Sequence, residues 1–186
     1  MPQSKILVDT NTYLRLAKSI HPLLTVPFGE DEYCLYILQE LNIELEGRKL
    51  QSKFPWVEDK EFLENRKKFP SIGRKQKKSI ENAYGYVWDH VQTELPGPSR
   101  VDAWYIAYAI ELRVPIVTDD QDMTELAGVF EVQAMPTLEL LKIMLDCGHT
   151  DMKTIEGIVA YWGYLSDLPG NCKSDFRRLF GVENIS

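Results

Sequence analysis

A chain of 186 residues suits one ordinary domain with an appendage and is too short for two full ones. An apolar share of 44% and a charged share of 26% exclude a disordered chain. No stretch of 18 uncharged apolar residues offers a membrane span. The net charge of −7 argues against a protein that holds nucleic acid through an overall excess of Lys and Arg.

The chain enters the apolar run Ile6-Leu7-Val8 too soon to leave room for a secretory signal. Its three widely spaced cysteines, Cys34, Cys147 and Cys172, do not form a disulfide pattern. Both features lead us to expect a cytoplasmic protein. Lys5 to Val8 reads as a buried strand ending at Asp9, and Thr10-Asn11-Thr12 then opens a helix. After Pro27 and Gly29, apolar residues at 34, 35, 38, 41 and 45 predict an amphipathic helix over 30–45, with Glu40 inside it.

The charged stretch from Gly47 to Gly73 predicts one short helix near Asp59 to Lys68. A longer helix runs from Arg74 to Leu95 and stops at Pro96-Gly97-Pro98. Ser99 caps the next, Arg100 to Leu112, whose alanines allow close packing on a sheet. Pro115 to Thr118 is a second strand that ends in Asp119-Asp120-Gln121-Asp122, with a short helix to Gly128 beyond. Phe130 to Gln133 predicts a third strand, and helices follow over Thr137 to Cys147, from Asp151, and over Phe176 to Phe180. Alternating strands and helices imply a mainly parallel sheet, with the functional crevice at the carboxyl ends of its strands.

Asp9 and the acids after Thr118 both fall at such ends. Asp102 opens its helix, and Glu40 can reach the same place from a neighbouring one. Carboxylates gathered there repel one another unless a cation joins them. A hard ion such as Mg²⁺ or Mn²⁺ takes oxygen ligands and can lower the pKa of a water enough for attack on phosphorus. Taken singly, each acid has a plainer role as a helix cap or a solvated group.

Charge is unevenly spread. Arg66, Lys67, Lys68, Arg74, Lys75, Lys77 and Lys78 follow one another with no acid among them, so the remainder carries −14. This segment, with Phe69 beside it, is either a nucleic-acid-binding arm or a solvated helix face. Other chemistry is absent from the pattern. Cys147-Gly148-His149 lacks zinc-site spacing, His21 and His90 have no nucleophile in a recognised setting, and no glycine-rich phosphate loop occurs.

Four segments together resemble the PIN-domain family of VapC-like ribonucleases: Ile6-Leu7-Val8-Asp9-Thr10-Asn11, Leu38-Gln39-Glu40-Leu41, Asp102-Ala103-Trp104-Tyr105-Ile106-Ala107, and Ile116-Val117-Thr118-Asp119-Asp120-Gln121-Asp122. The resemblance implies a three-layer α/β/α sandwich with a central parallel sheet, here with extra C-terminal helices. Residues 1–147 then form the nuclease domain, including the basic helical region 47–95, and residues 148–186 form a helical extension packed on it. Asp9, Glu40, Asp102 and Asp120 match the family's catalytic, metal-holding acids, with Glu44 one helical turn beyond Glu40 on the same face and Glu32 at an earlier turn, and Asp122 matches an auxiliary metal ligand. Asn11 and Thr118 fall where small polar residues orient those acids.

The activity implied is Mg²⁺- or Mn²⁺-dependent endonucleolytic cleavage of RNA, by the toxin of a toxin-antitoxin pair. The implied partners are RNA, a protein antitoxin and a second copy of the chain, with no membrane. Two other readings stand beside it. One is a PIN-like RNA- or protein-binding module without catalysis. The other is a haloacid-dehalogenase-type phosphatase, which needs an acid where Asn11 stands.

Overall fold

Ile6, Leu7 and Val8 are all buried because their strand lies at the centre of a parallel sheet covered on both faces. The computed structural model describes residues 4–19, 26–67 and 69–181. Strand β1 (Ser4–Val8) is flanked by β2 (Tyr33–Tyr36) and β3 (Ile116–Val117), with β4 (Ala134–Met135) outermost, giving the order β2-β1-β3-β4. All three pairings are parallel, with Leu7 opposite Tyr36, Val8 opposite Val117 and Val117 opposite Met135.

Side chains alternate across such strands, so two cores form. Ile6, Val8, Leu35 and Val117 face one cluster, and Leu7 and Ile116 face the other. The first is closed by α1 (Thr10–Leu16), α8 (Thr137–Asp146), α9 (Met152–Tyr164) and α10 (Cys172–Phe180), through Tyr13, Leu141, Trp162 and Phe176. The second is closed by α5 (Arg74–Thr93), α6 (Arg100–Leu112) and α7 (Gln121–Val129), through Val87, Ile106 and Leu126. This is the three-layer α/β/α arrangement. Arg15 fastens the tail helices to α1: its carbonyl accepts from Trp162 Nε1 at 3.3 Å, and its guanidinium reaches Asp167 at 3.1 Å.

Two expectations fail here. Residues 33–36 form a strand, where periodicity predicted a helix over 30–45; Cys34 and Leu35 are buried against the open edge of β1, and a run apolar on both faces fits a covered strand. Only Leu41–Leu45 is helical (α2), and Glu40 stands just before its first turn. The last strand lies at Ala134–Met135, beyond the predicted 130–133, because Glu131 takes a left-handed φ of 55° at the close of α7.

Between α2 and α5 the chain makes α3 (Arg48–Lys53), a 3₁₀ turn (Pro55–Glu58) and α4 (Lys60–Arg66). The prediction held one helix there. Helix α5 then spans the molecule. Near its start, Gln76 shares a cleft with Ser4, Lys5 and Gln133 at the amino ends of the strands. Its 20 residues rise about 30 Å, and the turn after it brings Gly97 and Ser99 to the opposite end of the sheet. No helix among the described residues is long and apolar enough to cross a membrane.

Candidate active site

The acids at the carboxyl ends of the strands are fixed by the caps of the helices that follow. Asp9 caps α1: Oδ1 accepts the Thr12 N–H at 2.6 Å, and Oδ2 accepts the Thr118 hydroxyl at 2.6 Å. Asp120 caps α7 by accepting the Met123 N–H at 3.0 Å, while its own N–H donates to Thr118 Oγ1 at 3.0 Å. One buried hydroxyl thus ties both acids together. Asp102 closes a capping box with Ser99, whose N–H donates to Oδ2 at 2.6 Å and whose Oγ accepts the Val101 and Asp102 N–H groups at 3.1 Å.

Glu44 of α2 completes the set, accepting hydrogen bonds from the Thr10 hydroxyl and, at 3.2 Å, from the Ser99 hydroxyl. Asp122 lies so close to Gly97 that a Cβ there would stand 2.7 Å from its Oδ2. These five acids line one cavity of about 470 Å³ with Thr10, Asn11, Leu50, Gly97 and Ser99. No Lys, Arg or His among the described residues lines it.

Burial raises the affinity of two of these acids for protons. Asp9 is pushed up to about 6 by burial, against the opposing effect of the Thr118 and Thr12 hydrogen bonds. Asp102 is pushed up to about 6, again mainly by burial, with Ser99 opposing and the charges of Glu44 and Asp120 adding to the rise. The donor set is wholly oxygen, which fits a hard divalent cation in kind. Among the described residues, no three His, Cys, Asp or Glu side chains stand close enough to enclose an ion as they are. Like charges held apart are what an unscreened acidic site requires.

No family model and no curated protein matches the sequence. Among solved structures, the fold is similar to one described as the crystal structure of FitAcB from Neisseria gonorrhoeae. The TM-score is 0.45 and the identity 14%, over 72% of this chain and 98% of that one. A likeness of that size carries no argument about activity, so function rests on the crevice itself.

Asp9, Asp102, Asp120, Asp122 and Asn11 all line the crevice, and Thr118 bonds directly to Asp9. Asn11 is exposed there and makes no side-chain hydrogen bond to an acid among the described residues. Glu40 is the correction. It lines a different cavity, between α2 and α4, with its Oε2 buried and without a hydrogen-bond partner among the described residues. Once residues 33–36 become a strand, α2 begins after Glu40 and the acid one turn later, Glu44, reaches the crevice.

The Asp119–Asp122 run also divides. Asp119 turns away into an ion pair with Arg15 at 2.7 Å and accepts the Thr137 N–H at 2.9 Å, leaving Asp120 for the crevice.

The basic segment does not form one surface. Arg66 is only 3% exposed, its Nη1 donating to the Tyr13 hydroxyl at 3.2 Å and its guanidinium lying over that ring. Lys67 is exposed and pairs with Glu64 at 2.6 Å; Lys68 lies outside the described residues. Arg74, Lys75, Lys77 and Lys78 are exposed on the first turns of α5, at the end of the sheet away from the crevice. Sequence reasoning missed Ser99 and Thr10 as partners of Glu44. The only signal was the spacing Ser99 to Asp102, legible as a cap but silent about an acid 55 positions earlier.

Proposed function

We propose that this chain is a metal-dependent endoribonuclease that hydrolyses RNA phosphodiesters in the crevice at the carboxyl end of its sheet. One observation carries the reading: five acids from four separate parts of the chain line one cavity in which no basic side chain stands among the described residues. Carboxylates gathered in this way, two of them raised to about 6, repel one another unless a cation joins them in use.

Asp9, Glu44, Asp102 and Asp120 would hold Mg²⁺ or Mn²⁺, with Asp122 as an auxiliary ligand. Bound there, the ion would offset the charge of the phosphate and acidify a water for in-line attack. The chain's own part is orientation. Two hydrogen bonds fix the Asp9 carboxylate, Ser99 fixes Asp102, and Thr10 and Ser99 fix Glu44. Pre-set ligands lose little freedom when substrate arrives.

RNA as substrate, a protein antitoxin, a homodimer and a cytoplasmic setting come with the PIN-family resemblance and belong to the same proposal. So does the division into a nuclease domain over 1–147 and a helical extension over 148–186.

The test is cleavage of a mixed-sequence RNA with Mg²⁺, with Mn²⁺ and with EDTA, beside hydrolysis of p-nitrophenyl phosphate. Metal-dependent cutting of RNA alone is expected. Cleavage undiminished by EDTA would overturn the mechanism. RNA bound but never cut would favour the noncatalytic module, and turnover of the monoester alone the phosphatase.

A further inference from the structure

Two buried polar atoms of residues lining the cavity between α2 and α4, Glu40 Oε2 and Arg66 Nε, have no hydrogen-bond partner among the described residues. Each is costly by itself. A buried guanidinium without a carboxylate and a buried carboxylate oxygen without a donor are rare in folded proteins unless something else supplies the missing bonds. Among the described residues Arg66 makes no ion pair, and its one hydrogen bond leaves from Nη1 to Tyr13. The Nε side of its fork is therefore free.

The space is large enough for a ligand, at about 730 Å³, within the roughly 300–1,000 Å³ of small-molecule sites. Its walls include apolar Ile43, Leu63 and Phe69, two of which, Ile43 and Leu63, are exposed to solvent. The mixture of a donor fork, a carboxylate acceptor and an aromatic wall suits a planar heterocycle with both acceptor and donor edges. It suits a phosphate less well, because among its described walls three acids, Glu40, Glu46 and Glu58, outnumber the two cations, Arg66 and Lys67.

The cavity also adjoins the crevice. Glu40 and Glu44 stand one turn apart on the same short segment, and Leu50 lines the crevice while Gln51 lines the cavity.

We propose that this cavity binds a guanine base of the RNA strand, with Glu40 accepting from its N1–H and N2–H edge, Arg66 donating to its O6 and N7 edge, and Phe69 packing on its face. Guanine is chosen because a carboxylate accepts and does not donate. Among the four bases, guanine alone pairs two adjacent donors on one edge with two adjacent acceptors for a guanidinium on another. The inference rests on the ribonuclease reading and adds to it a preferred base beside the cleaved bond.

The experiment has a binding arm and a cleavage arm. The intact protein is titrated with guanosine, adenosine, cytidine and uridine 5′-monophosphates by calorimetry in EDTA. Guanosine monophosphate is expected to bind about tenfold or more tightly than the others, and Glu40→Gln to remove that preference with its melting temperature unchanged. Arg66→Lys, which keeps the charge and loses the fork, is expected to do the same. In the cleavage arm, RNA fragments are sequenced. Cuts by the wild type should cluster beside guanine and those by Glu40→Gln should not, and guanosine monophosphate should compete with RNA.

Equal affinity for all four nucleotides, affinity unaltered in both variants, or inhibition without competition would overturn the assignment. Cleavage without base preference overturns it while leaving the nuclease reading intact. Selective binding of guanosine monophosphate with no cleavage of any RNA supports the base pocket and removes the nuclease reading.

Discussion

The Thr118 hydroxyl donates a 2.6 Å hydrogen bond to Asp9 Oδ2, joining the ends of two neighbouring strands inside the protein. Because the same oxygen accepts the Asp120 N–H at 3.0 Å, one side chain sets the position of two proposed metal ligands. It also opposes the rise in the Asp9 pKa.

Thr118→Val should therefore leave an Asp9 oxygen without its donor and raise that acid above about 6. Cation affinity is expected to fall about 10- to 100-fold, and the acid limb of the pH–rate profile to move upward. Thr118→Ser, which keeps the hydroxyl, should restore both. Equal behaviour of the Val and Ser variants would show that the methyl packing of Thr118 matters and its hydroxyl does not.

Asp9 and Asp102 also predict how stability varies with pH when metal is withheld. Both have folded-state pKa values raised from 3.8 to about 6. A raised value means that the folded state holds its proton more tightly than the unfolded chain does. The resulting stability is present below pH 3.8 and is lost as pH rises through about 6, by about 3 kcal/mol for each acid. In EDTA, Asp102→Asn should match the wild type near pH 4 and exceed it in melting temperature near pH 8, and Mg²⁺ should narrow that gap. A gap that does not change with pH would show that the acids are not strained in the free protein.

The adjacent acids Asp119 and Asp120 should respond in opposite ways. Asp119 is bound to Arg15 at 2.7 Å and to Thr137, so Asp119→Ala leaves a mostly buried guanidinium with Asp167 as its remaining carboxylate and the Thr137 N–H without its acceptor, a loss of about 1.5–3 kcal/mol. Asp120→Asn keeps its cap on α7 and loses only charge in the crevice. Denaturant titration and cleavage rates should separate them, the first variant losing stability and the second losing turnover by orders of magnitude. Comparable loss of turnover in both, with no loss of stability in the first, would place Asp119 in the site.

The strand-end acids were legible because each stands where an apolar run stops and capping begins, and the chain itself fixes that local geometry. Glu44 was not. Choosing between it and Glu40 depends on where α2 starts, which depends on residues 33–36 pairing with β1, across a separation of about 30 residues. Helical spacing at 34, 35, 38, 41 and 45 is satisfied by a strand followed by a short helix, and periodicity alone cannot separate the two. Arg66 shows the same limit. It stands in a run of cations, yet Tyr13, 53 positions away, draws it inward, and charge patterning carries no sign of that.

Four exposed basic residues of this run, Arg74, Lys75, Lys77 and Lys78, open a helix of 20 residues whose far end leads to the crevice. A rise of about 1.5 Å per residue puts them about 30 Å from the acids along the helix. On the proposed ribonuclease reading they cannot touch a phosphate cut in the crevice, and they can touch the same strand several nucleotides away. Neutralising Lys75, Lys77 and Lys78 together should then weaken binding of a 20-nucleotide RNA and flatten its salt dependence, by a log-log slope of about 0.7 for each phosphate that no longer meets a cation. A 4-nucleotide RNA, too short to span from crevice to helix start, should bind and be cut as by the wild type. The comparison of the two lengths is the measurement. If the short RNA weakens as much as the long one, the cations act on the crevice through the general field of the protein. If neither changes, the first turns of α5 are a solvated face, and the strand leaves the crevice in another direction.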